Sequence, residues 1–321
     1  MYYTIRHQTV FRYPQPVSEM VMEVRAQPRN EWTQHCLSFE MQVTPKARVL
    51  NYRDYLGNTV HHFTVPARTS QLSIVTTALV EVQPFREWPL ALPTSSWALV
   101  DSAVDQGEHY DMLLPSDFAR PSPLLLELAA RLHVTRRDDP MTLLRQINEG
   151  IHATFEYVPN ATRVDSPIED ALRARKGVCQ DFAHIMTTLV RQLRIPCRYV
   201  SGYVSPEETE ERRAGLASHA WVEALLPGWG WVGFDPTTGR LVSDRHVRCA
   251  IGRDYADVPP TKGVYKGESR GEMAVQVRVI PAEAPEHSDS EYTFAVTETW
   301  LDQPPALSST SGAQQQQQQQ Q

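Results

Sequence analysis

The sequence predicts an α+β fold: a β-sandwich-like amino-terminal domain followed by a mixed core in which helices precede a short run of strands. Three observations predict it. Residues 1 to about 84 alternate apolar and polar positions between turn signals, as in Leu72-Ser73-Ile74-Val75-Thr76-Thr77-Ala78-Leu79-Val80-Glu81-Val82. Apolar residues at Cys179, Phe182, Ala183, Met186, Leu189, Val190 and Leu193 form the one-sided stripe of an amphipathic helix. Downstream, His219 to Leu225 and Trp229 to Asp235, rich in Trp, Val and Phe, flank Leu226-Pro227-Gly228 and read as a β-hairpin.

Taken in order, the amino-terminal domain spans 1–84, with Asp54-Tyr55-Leu56-Gly57-Asn58 as a turn. A connecting and helical segment covers 85–160, opening on a Pro- and Trp-bearing stretch from Pro84 to Pro93. Ser122 then Pro123 starts one helix, carrying Leu125, Leu128, Ala129 and Leu132, and Asp139 then Pro140 starts another, carrying Leu143, Leu144, Ile147 and Ile151. The proposed core spans 161–280. There Ser166, Pro167 and Glu169 read as cap, first-turn proline and capping-box glutamate, with Gly177 as the stop. Pro196 to Val204 reads as a strand, the glutamate-rich stretch from Pro206 to Gly215 as an exposed loop, and Met273 to Ile280 as a last strand of the core. Residues 281–321, Pro/Ser-rich and closing on eight glutamines, read as a disordered tail.

Composition narrows the function classes. Hydrophobic content of 41% and charged content of 21% suit a globular protein. A net charge of −7 provides no attraction to nucleic acid or anionic membrane, so neither partner is expected. No run of about 18 apolar residues calls for a transmembrane helix. Cys36, Cys179, Cys197 and Cys249 form no C-x-x-C pair and no signal-like apolar segment opens the chain, so the expectation is reduced thiols in the cytoplasm.

Chemistry enters at Cys179. Placed at a helix amino terminus, where N–H groups are unpaired and the macrodipole favours negative charge, a thiol gains thiolate character. An inert core cysteine is the plain alternative. A symmetric hairpin would pair Leu225 with Trp229, Glu223 with Trp231, Trp221 with Gly233 and His219 with Asp235. That register sets an imidazole beside a carboxylate, the base and orienter of a nucleophilic triad. Individually, His219 reads as a structural histidine and Asp235 as a turn former before Pro236; the three together read as a site.

The same residues carry a resemblance. Gly177-Val178-Cys179-Gln180-Asp181-Phe182-Ala183-His184, Arg198-Tyr199-Val200-Ser201-Gly202-Tyr203, Ser218-His219-Ala220-Trp221-Val222-Glu223 and Phe234-Asp235-Pro236-Thr237 are similar to the bacterial transglutaminase-like family. So is the closing Gly252-Arg253-Asp254-Tyr255-Ala256-Asp257-Val258-Pro259-Pro260. Ile5-Arg6-His7-Gln8-Thr9 and Tyr55-Leu56-Gly57-Asn58 resemble that family's amino-terminal β-rich domain. The resemblance spans roughly residues 1 to 280 and implies a papain-like core with Cys179 as nucleophile, His219 as general base and acid, and Asp235 as orienter. The implied activity is acyl transfer at an amide of a protein or peptide substrate through a thioester; water as acceptor gives hydrolysis, an amine gives transamidation, and both stay open. The Cys179 N–H is the expected oxyanion donor, with Gln180 as a candidate second donor and Tyr203 and Trp221 as candidate cleft residues. A catalytically silent binding module is the alternative reading.

Rival signals carry less. Gly228, Gly230 and Gly233 satisfy G-x-G-x-x-G literally, but lie in a hairpin with no helix following. No G-x-S-x-G occurs. A metal site from Cys179, His184, His219 and Asp235 lacks a second paired ligand set, so neither a metal nor a cofactor is expected, and His184 reads as a structural histidine. Oligomeric state is not legible.

Overall fold

The computed structural model describes residues 1–84, 87–205, 218–268 and 270–285. The expected glutamate-rich loop lies outside the described residues, as does the expected tail from residue 286 on; its first two residues, Pro281 and Ala282, are instead paired with Tyr3 and Tyr2 in a strand.

Five strands open the chain: β1 (Tyr2–Val24), β2 (Gln34–Thr44), β3 (Leu50–Arg53), β4 (Thr59–Val65) and β5 (Thr69–Val82). β1 serves two layers. Its first half, Tyr2 to Arg12, pairs with β5, and its second half, from Met20 to Val24, pairs with β4. Between them lie Pro14 and Pro16, which have no N–H to give a ladder, so pairing breaks there and the strand turns from one layer into the other. The inner faces meet in a core built from Tyr13, Val17, Met20, Met22, Phe63, Leu72 and Ile74.

The middle of the chain is helical: α1 (Ser96–Asp105), α2 (Pro123–Arg131), α3 (Pro140–Thr154), then β6 (Glu156–Tyr157), α4 (Ile168–Ala174), β7 (Lys176–Gly177) and α5 (Cys179–Gln192). The proline starts act as expected. Ser122 accepts from the Leu125 N–H, and Asp139 accepts from those of Met141 and Thr142. The helix before Cys179 departs from expectation: Ser166 Oγ accepts from Arg163 N, so no side-chain oxygen caps α4, and Arg175 at φ 51° ends it ahead of Gly177. α1, not among the expected helices, begins after Ser95 with no side-chain cap hydrogen bond.

Strands β8 (Cys197–Val204), β9 (His219–Leu226), β10 (Gly230–Asp235), β11 (Arg240–Leu241) and β12 (His246–Gly252) form an antiparallel sheet in the order β11-β10-β9-β8-β12. Phe182, Ile185, Met186 and Leu189 of α5 share one core with Ala220, Val222, Ala224, Val232 and Phe234 of the sheet, and with Leu143, Leu144 and Ile147 of α3. Burying faces of this size supplies most of the drive to dock helix on sheet. The mixed architecture is the papain-like one expected.

The chain then returns to its beginning. β13 (Thr261–Lys266) pairs with the second half of β1, and β14 (Glu272–Ala282) pairs with its first half from Tyr2↔Ala282 to Arg12↔Glu272. Met273 to Ile280 is thus a strand, as expected, but of the amino-terminal sandwich and not of the core, because its partner is β1. The core also begins earlier than residue 161, since α2 and α3 pack into it.

Candidate active site

Cys179 stands at the first residue of α5 because four local features bring the chain round. Parallel pairing of β6 with β7 sets Tyr157 beside Gly177, and Val158 N donates to Gly177 O at 3.0 Å. Asp181 accepts from Val178 N at 2.9 Å and from the Thr162 hydroxyl, tying both flanks to the helix head. Its carboxyl is pushed up by burial, with those two bonds opposing. A Cβ on Gly177 would come within 2.8 Å of Asp181 Oδ2, so only glycine leaves room for this tie. The Cys179 side chain stays partly exposed.

His219 is the first residue of β9 and Asp235 the last of β10. Their register differs from expectation. Gly230 pairs with Leu226, Trp231 with Leu225 and Gly233 with Glu223, so the turn centres on Gly228, one residue later than a symmetric Pro227 centre. Gly228 and Gly230 hold φ of 76° and 72°, conformations that favour glycine and place the turn there. The register is displaced by two residues, which preserves the face. His219 and Asp235 therefore meet diagonally, with Nε2 and Oδ2 2.9 Å apart.

Electrostatics follow from burial and pairing. Asp235 is fully buried; burial opposes its charge, but the His219 charge and hydrogen bond, with the nearby His246 imidazole, hold it well below the usual carboxylate range. Thr237 N donates to its other oxygen, Oδ1, at 2.9 Å. Burial would lower His219, yet the Asp235 charge, its hydrogen bond and the neighbouring Cys179 sulfur raise it well above 6.5. Because Nε2 is taken by Asp235, Nδ1 is the ring nitrogen left to face the sulfur.

The lesser candidates fall elsewhere. Gln180 is buried and donates to Val164 O at 2.9 Å, anchoring the preceding loop rather than aiming at the sulfur. Tyr203 is buried against the amino-terminal sandwich, its hydroxyl 2.8 Å from His7 Nδ1, so it does not line a cleft. Trp221 is fully buried and stacks on His219 at 6.2 Å and 30°, bracing the imidazole and not offering a surface to substrate. His184 is stacked between Phe118 and Tyr199 and accepts from Tyr255 N at 3.1 Å, and burial pushes it down to about 3.

Sequence reading missed His246, which arrives from β12 on the far side of the sheet order and carries no spacing signal linking it to Asp235. Its Nε2 lies 3.5 Å from Asp235 Oδ2. His219, Asp235 and His246 each offer one ligand-type atom, all within 4.8 Å of one another. A metal there would need a bare Nε2 on His246, with Nδ1 donating to a second-shell acceptor. Instead Nδ1 accepts from Ser243 N at 3.2 Å, which puts the proton of the neutral ring on Nε2, so these residues do not fit a resident ion. Tyr157, 49% exposed and paired beside Gly177, was also unforeseen.

Comparison with known proteins agrees with this architecture. Residues 3–81 match the bacterial transglutaminase-like N-terminal region, and residues 127–236 match the transglutaminase-like superfamily core. An uncharacterized protein of Mycobacterium tuberculosis is 32% identical over 299 residues, covering 88% of this chain and 93% of that protein. A protein-glutamine gamma-glutamyltransferase of Pseudomonas aeruginosa is 30% identical over 152 residues, 44% of this chain and 22% of the relative. A crystal structure from Cytophaga hutchinsonii, described as a candidate cysteine protease, superposes with a TM-score of 0.68 at 24% identity, covering 88% of this chain and 92% of that one.

Proposed function

This chain belongs to the transglutaminase-like superfamily, and from that premise we propose that it is a cysteine-dependent acyl transferase acting at an amide bond, with Cys179, His219 and Asp235 as its reacting unit. The observation that carries the reading is one constellation: His219 is bonded to buried Asp235 at 2.9 Å, and its imidazole is raised by that carboxylate and by the neighbouring Cys179 thiol at the head of α5.

The chemistry follows from these groups. The Cys179 sulfur, as thiolate, attacks the amide carbonyl carbon, and the carbonyl oxygen takes up negative charge. The Cys179 N–H, in the first turn where no helical acceptor exists, supports that oxygen. His219, as imidazolium, gives its proton to the departing amine nitrogen as the C–N bond breaks, leaving a thioester and a neutral imidazole. That imidazole takes a proton from an incoming water or amine, whose attack expels the thiolate and regenerates the pair. Asp235 keeps the imidazole oriented and stabilises its charged form.

Glutamine side-chain amides are the first donors to try, given the gamma-glutamyltransferase relative. The test is to incubate the purified protein with glutamine-bearing peptides and small peptide amides, with and without an alkylamine, and search for an acyl adduct on Cys179 by mass spectrometry. An adduct lost in Cys179→Ala supports the reading, and the ratio of hydrolysed to aminated product names the acceptor. A broad amide panel yielding neither adduct nor product overturns it and leaves a binding role.

A further inference from the structure

The proposed chemistry gives His246 no task, yet this side chain is 7% exposed and sits against the orienting carboxylate. It is the first residue of β12, the edge strand of the core sheet. Its ring packs edge-on against Trp221 at 5.3 Å and 79°, with the His219 ring 6.3 Å away. Two of its atoms determine what it can do. Nδ1 accepts the Ser243 N–H, so the neutral ring carries its proton on Nε2. Nε2 has no partner meeting hydrogen-bond geometry among the described residues, and the acceptor it faces is Asp235 Oδ2 at 3.5 Å. At that length the interaction is mainly electrostatic. Protonating the ring would set a second N–H against the Ser243 N–H, which keeps His246 a neutral donor; burial acts in the same direction.

We propose that His246 is a positioning residue: its Nε2–H, aimed at Asp235 Oδ2, shares that oxygen with His219 and fixes the carboxylate plane. Two hydrogen bonds and one electrostatic contact then hold Asp235: His219 on Oδ2, the Thr237 N–H on Oδ1, and His246 Nε2 facing Oδ2 at 3.5 Å. The consequence is twofold. The carboxylate cannot swing out of line with the imidazole. Its charge is divided between two N–H groups, so His219 is stabilised as imidazolium but still releases its proton. With His246 removed, Oδ2 of Asp235 faces His219 alone and holds the proton more tightly at the moment it must pass to the leaving amine. The kinetic consequence rests on the acyl-transfer reading; the effect on His219 does not.

The test uses full-length His246→Phe, which keeps a ring against Trp221 but has no donor, and His246→Gln, whose amide nitrogen reaches the place of Nε2. The titration midpoint of His219 is followed by NMR of labelled imidazole, and the iodoacetamide reaction of Cys179 is followed against pH. His246→Phe should raise the His219 midpoint by about half a pH unit or more and displace the alkylation profile with it. His246→Gln should restore most of the difference. On any substrate found, kcat should fall about tenfold in His246→Phe with KM nearly unchanged, and recover in His246→Gln. Profiles of both variants that superimpose on the wild type, in protein with an intact melting transition, overturn the proposal. Should His246→Phe not fold, His246→Asn, whose shorter amide stops near the Nδ1 position, takes its place against His246→Gln. A wild type that turns over no amide defeats the acyl-transfer reading, while the His219 midpoint still decides the role of His246.

Discussion

The side-chain carboxamide of Asn58 makes both backbone hydrogen bonds of Ile251: Nδ2 donates to the Ile251 carbonyl at 2.9 Å, and Ile251 N donates to Oδ1 at 2.9 Å. Ile251 lies on β12, the edge of the core sheet, so the amide stands in for a neighbouring strand. Gln34 does the same at Arg248, with bonds of 2.9 and 2.8 Å. Both carboxamides are fully buried. An open edge presents unpaired N–H and C=O groups; here two side chains of the amino-terminal sandwich close it. That strand also carries His246, so the sandwich supports the site from behind.

Asn58→Ala should therefore destabilise the protein out of proportion to its size. It leaves a buried N–H and a buried C=O without partners, each costing about 1–3 kcal/mol. A loss of about 2–6 kcal/mol is expected in urea unfolding. A change below about 0.5 kcal/mol would show that the edge is satisfied in some other way.

Asn58 also shows what a sequence makes legible. The turn Asp54-Tyr55-Leu56-Gly57-Asn58 could be read, and it forms: Asp54 Oδ1 accepts from Leu56 N and Asn58 N, and Gly57 holds φ 76°. Its purpose could not be read, because Ile251 is far away along the chain. The alternating valines of β14 announce a strand but not whether it joins β1 or the core sheet. The hairpin was legible from its Trp, Val and Phe residues, whereas its register depended on which residue of Leu226-Pro227-Gly228-Trp229 sits at the apex. The even displacement kept His219 and Asp235 on one face. Tyr203 and Trp221 looked like cleft residues because aromatic residues near a nucleophile suit either a core or a cleft; burial assigns both to the core. His246 had no local signal at all.

Cysteine reactivity should separate cleanly. Burial pushes the Cys36 and Cys197 thiols up to about 11 and the Cys249 thiol well above its ordinary value. Each of these should react about tenfold more slowly per unit of pH below its own midpoint. Cys179, partly exposed and beside the raised imidazole of His219, should be alkylated first near pH 7. Peptide mapping after brief iodoacetamide treatment of the native protein checks this; Cys36 labelled ahead of Cys179 refutes it.

Acid should weaken the fold through His7. This residue is buried between Tyr203 and Thr9, and burial lowers it to about 4. The unfolded value is about 6.5, so the unfolded chain binds the proton more readily between these limits. The neutral ring's contribution is complete above about pH 6.5 and is lost as the pH falls toward 4. From pH 7 to pH 5 that loss is about 2 kcal/mol. His7→Gln should flatten the fall of stability with acidification relative to the wild type. Parallel slopes for the two proteins would assign the acid sensitivity elsewhere.

Substitutions in the reacting unit should act as one. Cys179→Ala removes the atom that forms the thioester, and His219→Ala removes both the proton carrier and the partner of the sulfur. Each should abolish nearly all turnover, and the double variant should be scarcely worse, because either loss already disables the shared step. Asp235→Ala should retain more activity than either, since Trp221 still braces the His219 ring from one face. Its fold should suffer more, however. Removing a fully buried carboxylate leaves the Thr237 N–H and the His219 N–H without their acceptor and takes away the charge that His246 faces. Cys179→Ala deletes one partly exposed sulfur and should change stability by no more than about 1–2 kcal/mol. Steady-state kinetics beside urea unfolding of the four variants checks both halves. Additive losses of activity, or a Cys179→Ala protein with full turnover, would place the chemistry outside these three residues.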